Sequence, residues 1–154
     1  MKKAMKLLVA VVAVSMVSVV SYAAGAQKSL IWASGDMKWA PLAPDSPLQI
    51  SPLWGDPSKG ESGFLLKMPA GYDSGTHAHT GDYHAVLVAG TWIHTEEGQT
   101  EAAKELSPGS YVMQAGKKMH KDVCKAGADC VSFIHMKVKA DFIPGKAPAA
   151  KETK

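Results

Sequence analysis

Short β-prone runs alternate with glycine, proline, aspartate and serine along this chain from residue 27 onward, and no helix of useful length stands out. That punctuation constrains the fold more than any other feature. The clearest runs are 63–68, 76–79, 83–88, 91–95, 110–114, 119–123 and 130–138. Prolines interrupt 38–41 and 48–52, which read as edge segments. Gly90 reads as the turn of a hairpin joining 83–88 to 91–95, and 55–60 as a loop. The best helical candidate, 101–106, is one short turn. Many short strands at this spacing predict an all-β, single-domain sandwich or barrel. The length of 154 residues allows one domain with a real core.

The first 26 residues read differently. A basic start with Lys2, Lys3 and Lys6 leads into an apolar run, and small residues follow up to Ala26. This is the pattern of a Sec-type signal peptide, with cleavage after Ala23 or Ala26. The run is short for a membrane span. Without its three lysines the chain has 14 Lys against 14 Asp and Glu, so the alkaline pI of 8.8 belongs largely to the leader. It is no argument for a nucleic-acid partner. All 17 basic residues are lysine, which excludes a bidentate guanidinium clamp on a carboxylate or phosphate. The expectation is a secreted, periplasmic protein with no stable membrane insertion after cleavage. The Lys-, Ala- and Pro-rich residues 144–154 read as a disordered tail.

Export places Cys124 and Cys130, the only two cysteines, in an oxidising compartment. The intervening KAGAD reads as a turn between two strands, which predicts a hairpin disulfide. A pair of thiolates acting as metal ligands or as a redox couple is the alternative.

Four of the six histidines carry the strongest chemical signal: His77 and His79 one residue apart, His84 five residues on, and His120 on a distant run. Residues two apart on a strand point to one face, so His77 and His79 can grip one ion. On 83–88 the alternation groups His84 with Val86 and Val88, a set read as inward-facing. His120 arrives from its own strand. Imidazole suits Zn, Fe, Cu and Ni. Asp82, Tyr83 and His94 are candidates to orient the ligands. His135 shares a face with Val131 and Phe133 and reads as a core histidine. Trp32, Trp39, Trp54 and Trp92 are candidates for pocket lining, core or interface.

Four neutral imidazoles would leave the charge of a divalent ion uncompensated, which favours a further anionic ligand. Three imidazoles with open positions form a catalytic pattern, and four around a tetrahedral ion a closed, structural one. The spacing leaves both open.

Gly71 to Gly90, with His77, His79 and His84, resembles the first motif of the cupin superfamily, Gly-x5-His-x-His-x3,4-Glu-x6-Gly. Gly109 to Cys124, with His120, resembles the second. The stretches LWGDPSKGESGFLLKMPAGY and HAHTGDYHAVLVAGTW look like the ChrR-like cupins in particular, over about residues 39–144. That group includes the cupin domain of a zinc-binding anti-sigma factor and an acetylacetone dioxygenase with an Fe(II)–three-His site. The resemblance implies a jelly-roll barrel, or double-stranded β-helix, over 27–143. It also implies His77, His79, His120 and more weakly His84 as ligands, and a homodimer as one assembly. This chain departs from the pattern: His84 stands where Glu is usual, Ala115 and Lys117 replace Pro and Gly, and Cys124 replaces Asn.

Together these readings predict an exported cupin holding one divalent ion, Zn or Fe foremost, with Cu, Ni or Mn as further choices. It is either a small-ligand or metal-binding module or a metal-dependent oxidoreductase. The specific alternative is an Fe(II) dioxygenase acting on a small enolate-forming substrate. A metal that only braces the barrel is the third option.

Overall fold

The structure, a computed structural model, describes residues 28–145. The expected leader and residues 146–154 of the expected tail lie outside the described residues. Residues 28–31 are an exposed piece of their own, and the compact unit begins at Trp32.

In chain order the first strands are β1 (Ala40–Pro41), β2 (Gln49–Gly55), β3 (Ser62–Met68), β4 (Asp73–Ala78), β5 (Tyr83–Ala89) and β6 (Trp92–Glu96). They are followed by β7 (Glu105–Leu106), β8 (Tyr111–Gln114), β9 (His120–Cys124), β10 (Cys130–Met136) and β11 (Ile143–Pro144). One six-stranded sheet has the order β1-β2-β3-β10-β5-β8, and one five-stranded sheet the order β11-β4-β9-β6-β7. All pairings are antiparallel. The all-β architecture expected from the sequence is what the described residues adopt. Among the described residues no helix is long and apolar enough to cross a membrane.

Alternation fixes the core. On β5 the inward side chains are Tyr83, Ala85 and Leu87, and on β10 Ser132, Ile134 and Met136. Phe64 and Met68 of β3 and Trp92 of β6 join them. The expected inward set on β5 is therefore reversed: Val86 and Val88 are exposed and His84 is with them. A one-residue change in phase sends every side chain of a strand to the other face. His135 is corrected in the same way, because Val131, Phe133 and His135 form the outer face of β10.

Other expectations are corrected by non-local pairing. The chain does not form a hairpin at Gly90; β5 and β6 belong to different sheets. Gly90 takes φ +86°, and a Cβ there would lie 2.5 Å from the Asp129 carbonyl oxygen, so the crossing between sheets demands glycine. The helical turn expected at 101–106 is absent, and Glu105–Leu106 is an edge strand on β6. β1 pairs with β2 only at Gln49 and Ile50, so the rest of β2 keeps the edge character expected of it, and Pro52 sits at a register shift where its missing N–H is tolerated. Cys124 and Cys130 form a disulfide, but not within a hairpin: β9 and β10 lie in different sheets, so the bond ties one sheet to the other. Pro144 pairs with His77 on β4, and the Gly145 N–H donates to the Thr76 carbonyl, so the chain stays ordered past the expected start of the tail.

Candidate metal centre

Three imidazoles converge between the two sheets. His77 near the end of β4 stands directly opposite His120 at the start of β9, and His79 follows just beyond β4. One ring nitrogen of each lies within 4.8 Å of one from each of the others. The His77 and His120 ring centroids are 4.2 Å apart, and His79 is 5.0 and 5.2 Å from them. His77 and His120 are buried, while His79 is half-buried.

Backbone carbonyls aim all three rings. His77 Nδ1 donates to the Gly75 carbonyl at 3.1 Å and His120 Nδ1 to the Lys118 carbonyl at 3.0 Å. His79 Nδ1 donates to the Asp141 carbonyl. A proton held at Nδ1 leaves the lone pair at Nε2, which is how metal-binding histidines are oriented. Burial pushes the His77 pKa down and takes that of His120 to about 4. Both rings are therefore neutral, and so able to bind, at ordinary pH. The His120 Nε2 is buried and has no hydrogen-bond partner. A buried polar atom left unsatisfied costs about 1–3 kcal/mol. A divalent ion resolves that cost, so the residues fit one.

A carboxylate that the motif reading missed stands beside the three rings. Asp122 is two residues after His120 on β9, hence on the same inward face. Its Oδ2 is 3.6 Å from both His77 Nε2 and His120 Nε2. Its Oδ1 accepts from Trp92 Nε1 at 3.0 Å and from His94 Nδ1 at 2.7 Å. His94 is directly opposite Asp122 on β6, and its other nitrogen meets Gln114 Oε1 at 2.9 Å. Burial would lower the His94 pKa, but the Asp122 hydrogen bond and charge outweigh it and the pKa rises. Burial likewise raises the Asp122 pKa, and the His94 contact brings it below the usual carboxylate value. Both His94 ring nitrogens face acceptors, Asp122 Oδ1 and Gln114 Oε1, so the ring is placed to donate from each. The spacing His120-x-Asp122 was the available signal for this residue, and the His94 contact required knowing that β6 pairs with β9.

The other candidates sort by face. Tyr83 points inward, 5.3 Å from His79 and 5.9 Å from His120 between ring centroids, and burial drives its phenol pKa well up. His84 does not join the group. It lies on the outer face, with Nδ1 2.6 Å from the Tyr111 hydroxyl and its ring stacked on His135, which it faces across the β5–β10 ladder. His135 in turn meets Glu61 at 3.0 Å. Asp82 is exposed, and its carboxylate accepts from the Gly116 N–H at 2.7 Å, clipping the loop between β8 and β9. Trp92 is the tryptophan nearest the centre; Trp54 is half-exposed against Phe133 on the outer face.

Two of the three imidazoles, His77 and His79, border a cavity of about 350 Å³. Phe64, Leu66, Met68, Ile134 and Met136 line its far side, and His77, His79, Tyr83 and Asp122 its polar end. No lysine lines it. Phe142 covers His77, with rings stacked at 4.5 Å. The segment that carries it is held by Thr80, whose backbone N–H and hydroxyl donate to the two Asp141 carboxylate oxygens.

Residues 27–139 match the family model described as a ChrR Cupin-like domain. An RmlC-like cupin protein of known structure from Ralstonia eutropha JMP134 is 26% identical, with a TM-score of 0.61 over 79% of this chain and 76% of its own. The polyketide cyclase RemF from Streptomyces resistomycificus has a TM-score of 0.64 at 12% identity, over 79% of this chain and 89% of its own. The Rhodobacter sphaeroides complex of SigE with the anti-sigma ChrR contributes a match with a TM-score of 0.52 at 19% identity, over 68% of this chain and 51% of that one. These last two likenesses show the fold alone. No curated protein matches the chain in sequence.

Proposed function

The chain belongs to the ChrR cupin-like domain family, and from that premise we propose that it holds one divalent ion on His77, His79 and His120 and binds a small apolar molecule there. The observation that carries this reading is the buried, unpartnered His120 Nε2, set among three rings whose Nδ1 atoms are all engaged. Three imidazoles rather than four leave coordination positions open, and two of the three, His77 and His79, line the cavity. A metal that only braces the barrel does not call for such a cavity.

The lining selects the ligand. It is predominantly apolar, has no cationic side chain and ends at the metal site. Sugars and phosphates would leave their polar groups unsatisfied there. A compact molecule with one chelating oxygen pair and an apolar body fits. When bound, the ion acts as a Lewis acid that polarises such a head group. The chain's own residues orient and shield it: Trp92 and Tyr83 flank the polar end, and Phe142 limits water at His77.

Oxygenation of an enolate-forming ligand by an iron-loaded form is a second reading, supported by the same three-histidine set beside a mainly apolar cavity. The leader-like residues 1–26 and the inter-sheet disulfide support export to an oxidising compartment.

Two measurements test these readings. Metal analysis of protein purified from its native compartment should give one ion per chain, and His120→Ala should abolish it. Protein that holds none and takes up none of Zn(II), Fe(II), Co(II) or Ni(II) refutes the first reading. Oxygen uptake by iron-loaded protein across small diketones and phenols tests the second, and no turnover with any of them refutes it.

A further inference from the structure

We propose that Asp122 is itself a ligand, its Oδ2 completing on the ion the set that His77, His79 and His120 begin; this rests on the metal reading above.

Position is the first argument. Two donors bound about 2.1 Å from one ion at a tetrahedral angle lie about 3.4 Å apart. Asp122 Oδ2 is 3.6 Å from each of two imidazole nitrogens that face the site, so all three atoms already stand at ligand-to-ligand spacing. His79 completes the histidine set, whose donors lie within 4.8 Å of one another, and Asp122 stands beside that set at its His77–His120 edge.

The second argument is how the carboxylate is held. Trp92 and His94 both donate to Oδ1, which fixes the plane of the group. Among the described residues Oδ2 accepts no hydrogen bond and is left directed at His77 and His120. Ligating carboxylates are commonly fixed by such partners on the non-ligating side.

The third argument is charge. The cupin-like spacing puts a carboxylate at position 83 or 84. In this chain position 83 is the inward Tyr83, and position 84 is His84 on the outer face. Neither supplies an anion to the ion. Asp122 restores a negative ligand, but from β9 instead of β5. Three imidazoles and one carboxylate fill a four-coordinate ion such as Zn(II), and they leave two positions on a six-coordinate ion such as Fe(II), Co(II) or Ni(II). The identity of the metal then decides whether the cavity's ligand can reach it.

The test compares wild type, Asp122→Asn and His120→Ala by chelator competition with Zn(II) and Co(II). It adds the Co(II) d–d absorption spectrum and the carboxylate bands of the metal-loaded minus metal-free infrared difference spectrum. The expected result is an affinity loss of at least 30-fold in Asp122→Asn, a changed Co(II) band and disappearance of a metal-induced carboxylate band. Wild-type-like affinity and an unaltered Co(II) spectrum in Asp122→Asn, with binding abolished in His120→Ala, overturns the Asp122 assignment and leaves the three-histidine site standing. Binding unaffected by His120→Ala overturns both. The infrared band of the wild type needs no variant, so its absence on metal loading overturns the assignment even if Asp122→Asn fails to fold.

Discussion

His94 stands directly opposite Asp122 on the β6–β9 ladder, with its Nδ1 2.7 Å from the carboxylate, and both are largely removed from solvent. Removing one partner of a buried ion pair leaves the other charge unpaired, at about 3–5 kcal/mol. In metal-free protein, His94→Ala is therefore expected to lower unfolding free energy by about 3 kcal/mol in urea. The double variant with Asp122→Asn should recover part of that loss, because no uncompensated carboxylate remains. Purely additive losses would show that the two residues are not coupled.

The six histidines divide into an inner and an outer group. His77, His79, His94 and His120 lie between the sheets, while His84 and His135 stack on the outer face, 6.2 Å apart. Alanine at 77, 79 or 120 should each weaken Zn(II) binding at least 100-fold by chelator competition. Alanine at 84 or 135 should leave affinity for that ion within a factor of two. A large loss at His84 would contradict the orientation of β5.

Protons compete with the metal at nitrogens that are neutral when buried. Burial lowers the His77 pKa and brings that of His120 to about 4, against an ordinary value of 6.5. For a group with a depressed folded pKa, the unfolded chain takes the proton first. Stability from these two rings is thus present above pH 6.5 and lost as pH falls towards 4. His94 works the other way, since its raised pKa adds stability below 6.5 that fades at higher pH. The rise in melting temperature on adding Zn(II) should be full at pH 7.5 and gone near pH 4. A metal effect that persists unchanged at pH 4 would point to ligands other than imidazole.

The strand runs and the three converging histidines were legible in the sequence because both depend on local pattern. Alternation puts Tyr83 and His84 on opposite faces of β5, but it does not say which face is inward. Val86 and Val88 are as apolar as Ala85 and Leu87, so hydrophobicity gave no phase. Gly90 carries the same turn signal for a hairpin and for a crossing between sheets, and only the pairing of β5 with β10 and of β6 with β9 separates them. That choice also decided the neighbours of His94. It lies beside Asp122, and not beside Ala85 or Val86 as a hairpin would require.

The Cys124–Cys130 bond joins strands of different sheets across a six-residue separation. A loop this short constrains the unfolded chain modestly, by about 2 kcal/mol. Paired Cys124→Ala and Cys130→Ala substitution should lower the unfolding free energy measured in urea by about that amount, plus a packing loss, since both residues are fully buried. Metal stoichiometry should stay at one, because Cys124 lies four residues beyond His120 at the opposite end of β9. A fall in bound metal would instead give the sulfur a role at the centre.

Filling the cavity separates metal binding from ligand binding. Leu66 and Met136 line the apolar part of the space and are not among the ligating or orienting residues. Leu66→Trp and Met136→Trp place bulk where the ligand's apolar body is expected to lie. Overpacking costs about 1–3 kcal/mol, so the proteins should remain folded. Metal affinity should be unchanged, while affinity for a small diketone or phenol, read from the perturbed Co(II) spectrum, should fall at least tenfold. If ligand binding survives both substitutions, the molecule approaches the metal from the Phe142 side instead, and Phe142→Ala becomes the variant that alters its affinity.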